Sequence, residues 1–280
     1  MPYIESPFLI PKGVIRSNSP PSKSIGYTRR PGYKLPKTSY TVHSTANLRS
    51  SARDERNWLM NINNARPASW NVCVDQNEVV IAIPIDETAY GTMSGTDNNR
   101  SIQIEICESG NTEKAILNTI EWIARDMVRR DWFVAYKVIH QHADVQNKNC
   151  PGLLRNTNRW DWFITGIQLR VDELKKQREI DREADRLIKY LVTRLGISSP
   201  AYWREVVLMS IDVNKAYLIT IANEFCGTTY TNVFDLVNVL YVKKVITSKA
   251  YWLEALVNKI PINRNYVKAI ISNMAREDGM

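Results

Sequence analysis

The last third of the chain repeats itself. At a shift of 49 residues, without a gap, Ile197-Ser198-Ser199-Pro200-Ala201-Tyr202-Trp203 falls on Ile246-Thr247-Ser248-Lys249-Ala250-Tyr251-Trp252. The same shift pairs Leu187 with Leu236, Glu205 with Glu254, Asn214 with Asn263, Tyr217 with Tyr266 and Ile221 with Ile270. Self-similarity at one fixed period means that a single supersecondary unit is used twice. The spacing of the apolar residues is helical throughout, so this part reads as an all-α domain of two helical repeats. Ser199 and Ser248 each stand where a side chain can cap a helix beginning at the next residue, and Pro200 suits the first helical position.

The part before it is mixed. Thr38 to Ser44 alternates and reads as a strand that ends near His43. Ser50-Ser51 then caps a helix carrying Glu55. Trp70–Asp75 and Val79–Ile83 form a strand pair around Gln76-Asn77, closed by Pro84, and Ser101–Cys107 is a strand bearing Glu105. Thr112–Arg130 is an amphipathic helix, Val138–His140 a short strand and Arg155–Val171 a further helix. Strands mixed with helices predict a mixed central β-sheet flanked by helices, an α/β class. The expected domains are a basic, proline-rich arm at 1–28, an α/β domain at 29–172, a charged helical connector at 173–190 and the helical repeats at 191–280.

Charge is concentrated at one end. Of a net charge of +8, residues 1–50 supply eight basic side chains against one acid, Glu5, together with seven of the twelve prolines. Such a segment cannot readily form a helix or bury a core, and it suits a polyanionic partner. No aromatic stacking motif or helix-turn-helix pattern directs that charge toward nucleic acid. Nothing reads as a membrane span or a signal peptide, so the product is expected in the cytoplasm until another factor releases it. Four cysteines without paired spacing argue for free thiols.

Only three histidines occur, and they lie in or beside two segments. His43 ends a strand; His140 and His142 precede Cys150 by ten and eight residues. Two imidazoles and a thiolate are a three-ligand zinc set, with the fourth tetrahedral position open for water as catalysis requires. By spacing alone His140 and His142 are equivalent. The competing reading is hydrogen-bonded core histidines and an inert thiol.

Several motifs carry a resemblance. Arg30–Leu35, Tyr40–Asn47, Ser69–Asp75, Asn98–Cys107 and His142–Pro151 resemble, in order, the zinc-dependent N-acetylmuramoyl-L-alanine amidases of phage and prophage endolysins, whose fold is shared with peptidoglycan recognition proteins. The resemblance covers roughly residues 28–172 and leaves out the repeats. It implies that His43, His142 and Cys150 bind zinc, which selects His142 over His140. It implies that Glu105 is the catalytic acid–base and Lys148 the stabiliser of a developing oxyanion. Two positions depart from the family pattern, Asn71 and Tyr90-Gly91, where relatives carry groove-lining histidine or tryptophan. The substrate implied is bacterial peptidoglycan, with anionic wall polymers as partners of the basic arm, no membrane insertion, and action at the cell wall after release. Non-catalytic recognition proteins are the alternative; they typically carry serine in place of Cys150. The repeats are expected to bind the wall, with homodimerisation through an apolar helix face as the rival role.

Overall fold

Strand alternation sorts the central residues of this protein onto two different faces. The computed structural model describes residues 3–12, 29–61, 66, 68–257 and 260–280. Its strands are β1 (Ile4–Pro7), β2 (Ser39–Ser44), β3 (Val72–Val74), β4 (Glu78–Ile81), β5 (Ser101–Ile106) and β6 (Ile139–Gln141). They form one six-stranded sheet in the order β1-β4-β3-β5-β2-β6. All pairings are parallel except the β3–β4 hairpin. The helices are α1 (Ala52–Trp58), α2 (Gly95–Arg100), α3 (Thr112–Arg129), α4 (Ala135–Val138), α5 (His142–Val145), α6 (Gly152–Arg155), α7 (Trp160–Leu195), α8 (Pro200–Val207), α9 (Lys215–Cys226), α10 (Val233–Val242), α11 (Lys249–Leu256) and α12 (Arg264–Glu277). None is long and apolar enough to cross a membrane.

Residues two apart on a strand share a face. Tyr40, Val42, Ile102, Ile104 and Ile106 therefore point together, and they pack with Ile116, Ile123 and Met127 of α3 and with Phe163 and Ile167 of α7. Each fully buried aliphatic side chain there contributes about 1.5–3 kcal/mol. On the opposite face, the hairpin strands stay apolar: Cys73 and Val80 pack with Ala52 of α1 and with Leu59 and Trp70. The same face of β2 and β5 is polar, bearing Thr41, His43, Gln103 and Glu105. Its alternation looks like a solvated surface, yet Thr41 and Gln103 are 0% exposed.

The chain divides into two compact units, Met1–Lys175 and Lys176–Met280. Helix α7 contributes to both. Its Phe163, Ile167 and Val171 belong to the core of the first unit. Its Ala184, Leu187, Tyr190 and Leu191 are all 0% exposed in the core of the second. The segment expected as a connector at 173–190 lies within this one helix, and its Ala184, Leu187 and Tyr190 are core residues. Dense charge hides an apolar stripe at 184, 187, 191 and 195, spaced for one helical face. The helix expected from Arg155 starts instead at Trp160, after the separate turn α6.

The N-terminal arm also needs correction. Residues 13–28 lie outside the described residues, but 4–7 are an edge strand beside β4, and Ile10 is fully buried. Pro7 is tolerated because an edge strand leaves one row of backbone groups unpaired. Arg29 donates to the carbonyl oxygens of Leu59 and Asn61 at 2.7 and 3.0 Å, and Arg30 pairs with Glu87 at 2.7 Å. These two arginines serve the fold.

In the second unit, α8 and α9 begin 49 residues before α11 and α12. Tyr202 Oη accepts from Asn214 N at 2.7 Å, and Tyr251 Oη accepts from Asn263 N at 2.6 Å. Both asparagines cap the following helix at φ −72° and ψ 124°. Trp203 and Trp252 are buried, whereas Tyr217 and Tyr266 are 52% and 49% exposed. Ser248 caps α11 through Tyr251 N as expected, but Ser199 makes no side-chain cap bond.

Beneath the first unit's apolar face, Asp126 is buried and accepts from Tyr40 Oη at 2.7 Å and Arg130 Nε at 2.6 Å, and pairs with Arg129. Asp126→Ala would strand the Tyr40 hydroxyl and two charge-assisted bonds. A loss of about 3 kcal/mol of unfolding free energy is expected, measured by urea titration followed by tryptophan fluorescence.

Candidate metal centre

β2 and β5 are parallel neighbours, so both deliver their last residues to the same end of the sheet. His43 lies directly opposite Glu105, and Glu105 directly opposite Cys73. In open α/β sheets this carboxyl end is where ligands bind. β6, the other neighbour of β2, ends at Gln141, so the chain passes from it straight into α5 and brings His142 to the same place. The strand–helix junction separates two histidines that strand alternation would have kept on one face: His140 stays in β6, and His142 turns inward and is buried. Ala143 N donates to Cys150 O at 2.9 Å, closing the loop so that Cys150 returns beside His142.

The potential ligand atoms of His43, His142 and Cys150 lie within 4.8 Å of one another. His43 Nδ1 is 3.8 Å from Cys150 Sγ, and the two imidazoles meet edge-to-face with centroids 4.5 Å apart. His43 Nε2 is 2.8 Å from Gln103 Oε1 and His142 Nε2 is 3.0 Å from Gln146 Oε1. Each ring thus has its Nε2 engaged, and His43 turns its Nδ1 toward the thiol. His142 Nδ1 is buried without a hydrogen-bond partner among the described residues. Such an orphaned atom is costly unless a ligand completes it. Two imidazoles and one thiol, all buried, are the donor set of a zinc site with one open position. These residues fit the metal that the resemblance implies.

Burial, followed by the neighbouring His142, pushes His43 down to about 3, and burial lowers His142 as well. Both rings are therefore neutral at neutral pH, the form that binds metal. Burial and then the Glu105 charge push the Cys150 thiol up to about 11, so a metal must displace its proton. Burial first, and then the charge of Glu55, raise Glu105 to about 8, while Lys148 pulls it down. Its Oε2 is buried without a hydrogen-bond partner among the described residues.

A cleft of about 850 Å³ opens over these groups, lined among others by Glu55, Trp58, Trp70, Glu105 and Lys148. Trp58 and Trp70 stack with centroids 5.5 Å apart. Glu55, read in the sequence only as a helix residue, accepts from Ser50 Oγ and, at 3.5 Å, from Asn47 Nδ2. Asn71, expected to line the groove, does not: its Nδ2 donates to Pro84 O and Glu87 O at 2.9 and 3.0 Å, and its Oδ1 accepts from Gln103 N at 2.9 Å. A buried amide satisfied on both ends is a strand-end clasp. Gly91, its companion departure, does line the cleft. Sequence reasoning passed over Gln103, Gln146 and Asp97. The one available signal was the polar pair inside the otherwise apolar run Ile102-Gln103-Ile104-Glu105-Ile106.

Comparison with known proteins finds a family match that spans His43, His142 and Cys150. Residues 34–153 match the family described as N-acetylmuramoyl-L-alanine amidase. The chain is 34% identical over 149 residues to the N-acetylmuramoyl-L-alanine amidase CwlH of Bacillus subtilis strain 168, a match covering 51% of this chain and 58% of that protein. It is 32% identical over 149 residues to the N-acetylmuramoyl-L-alanine amidase XlyA of the same strain, covering 51% and 48%. The chain thus spans about half the length of the curated relatives it matches. The solved catalytic domain of XlyA aligns at 31% identity with a TM-score of 0.48, over 60% of this chain and 99% of that one. Through residues 34–153 the chain is thus similar to the N-acetylmuramoyl-L-alanine amidases.

Proposed function

We propose that the protein is a modular endolysin that hydrolyses the amide between N-acetylmuramic acid and L-alanine in bacterial peptidoglycan. The observation that carries this reading is the convergence of His43, His142 and Cys150 beside a carboxylate whose buried Oε2 has no partner among the described residues. His43, His142 and Cys150 would hold zinc. When bound, the metal supplies Lewis-acid activation of water and of the scissile carbonyl. Glu105 takes the proton of the attacking water at its free carboxylate oxygen and returns it to the leaving amine. A carboxyl group raised by burial toward neutrality is matched to both transfers. Lys148, exposed on the cleft wall, places a positive charge where the oxyanion develops. The stacked Trp58 and Trp70 offer an apolar wall for the sugar or stem peptide.

The second unit serves as the wall-targeting module in this reading. Two copies of one unit suit a polymer with repeating sites, since linked weak sites gain avidity. The exposed Tyr217 and Tyr266, each in ring contact with Tyr202 or Tyr251, occupy matching places in the two copies and are the surface aromatics to test first. The protein is held in the host cytoplasm until release and then acts on the wall, where anionic polymers attract the basic N-terminal segment.

Lysis of chloroform-treated cells, followed by turbidity, tests the enzyme reading. Chelation and Cys150→Ser should each abolish lysis, and mass spectrometry should find free muramic acid lactyl groups and new L-alanine amino termini. Glu105→Ala and Lys148→Ala should retain zinc and thermal stability but turn over about a hundredfold slower. Full activity in the Cys150 variant would refute the assignment.

Residues 176–280 fused to a fluorescent reporter should sediment with purified walls. A dimeric fusion without wall affinity would favour the rival dimerisation role. Because β1 is part of the sheet, the basic segment is best tested by substitution: Arg16→Gln with Lys23→Gln should slow lysis most at low salt, where the Debye length is longest. Equal rates at every ionic strength would remove the electrostatic role.

A further inference from the structure

The two glutamines behind the histidines are themselves held by one short piece of chain. Gln103 Nε2 donates to Asp97 Oδ2 at 2.9 Å. That bond fixes the amide so that its carbonyl oxygen faces His43. Asp97 is a buried carboxylate with its other oxygen accepting from Thr41 Oγ1 and Ser101 Oγ, both at 2.7 Å. Thr92 Oγ1 lies 3.2 Å from Asp97 Oδ2 and donates to it. On the other side, Gln146 Oε1 accepts from Met93 N at 3.2 Å as well as facing His142 Nε2. Thr92 N is tied to Asn98 Oδ1 at 2.9 Å, which pins the loop to α2. Gly91 lets the loop close on Gln103: a Cβ there would stand 2.3 Å from Gln103 Oε1.

Metal-ligating histidines usually hand their second ring proton to a partner that fixes tautomer and orientation. Carboxylates often play that part. Here both partners are neutral amides, and the Asp97 carboxylate stands one hydrogen bond further back, behind Gln103. An amide carbonyl accepts without carrying a charge, so it fixes the ring while raising its basicity less than a carboxylate would.

Resting on the zinc reading above, we infer that residues 91–98 are a positioning clamp for the metal centre. Through Asp97 and Met93 N they orient Gln103 and Gln146, whose carbonyl oxygens hold the Nε2 protons of His43 and His142 and leave both Nδ1 atoms to the metal. Gln103 and Gln146 are positioning residues; neither is asked to touch substrate. One short segment thereby sets the geometry of ligands that come from a strand, β2, and from a separate helix, α5.

Metal binding by the full-length chain tests this without any turnover assay. Zinc affinity is read by competition with a chromophoric chelator at fixed pH, and ligand geometry by the visible spectrum of the Co2+-loaded protein. Gln103→Leu and Gln146→Met should each bind zinc about 10–100-fold more weakly and alter the Co2+ spectrum. Gln146→Glu, which keeps the acceptor, should bind like wild type. Gln103→Glu sets two carboxylates face to face and should bind weakly; adding Asp97→Asn reverses the donor and acceptor between them and should restore affinity and spectrum. Gly91→Ala, which touches neither histidine, should weaken zinc by displacing Gln103. A merely structural role would lower the melting temperature of the metal-free variants without this pattern of loss and rescue. Wild-type affinity in both Gln103→Leu and Gln146→Met, or a loss that the paired swap leaves unrepaired, would overturn the clamp. Wild-type protein that takes up no zinc, like Cys150→Ser, would instead overturn the metal reading on which it rests.

Discussion

The structure depends on satisfying a buried polar sheet face. Thr41, His43, Gln103 and Glu105 stand on the inner strands of the sheet, where removal from water costs several kcal/mol for each unpaired group. Asp97 meets most of that demand, accepting from Thr41, Thr92, Ser101 and Gln103. Its carboxyl is held below the usual range by these donors, led by Gln103 and Ser101, against the opposing effect of burial. Among the described residues, the buried polar atoms near this face that keep no partner include Glu105 Oε2, His142 Nδ1 and Trp70 Nε1. Glu105 and Trp70 line the cleft. Local deficits of this kind are expected where a fold reserves groups for a ligand or a reaction.

Sheet topology explains how distant motifs arrive at one point. β5 and β6 flank β2 and run parallel to it, so three strand ends deliver His43, Glu105 and the His142 loop to the same edge. The apolar face beneath them, packed on α3 and α7, supplies the rigidity that a precise donor set needs. The β3–β4 hairpin, apolar on both faces, extends the sheet and carries Trp70 to the cleft wall.

The second unit solves a different problem. Its helices pack on a core that begins inside α7, with Ala184, Leu187 and Leu191 buried against Trp203 and Trp252. In both copies a tyrosine hydroxyl anchors the backbone of the asparagine cap of the next helix, so the turn between paired helices is set by the same bond. The shared geometry leaves equivalent tyrosines of the two copies, Tyr217 and Tyr266, at the surface.

Local pattern alone determined a good deal. Alternation located β2 and β5, helical spacing located α3, and the 49-residue shift located α8, α9, α11 and α12, because periods of two and of 3.6 residues are imposed by backbone geometry. The ligand types and the position of Glu105 were legible through motif and resemblance. What only the tertiary structure decided follows from contacts that no local window contains. Polar residues of an alternating strand could equally have faced water; they are buried because α2 and the loop before it cover them. His142 parts from His140 because β6 ends one residue earlier, at Gln141. Charged residues at 173–190 averaged out an apolar stripe that becomes core only when the helices of the second unit gather around it. Gln103 and Gln146 are unremarkable in sequence, since an amide acquires a role only from the partners that orient it, and for each glutamine one of those partners, His43 or Met93, lies more than fifty residues away.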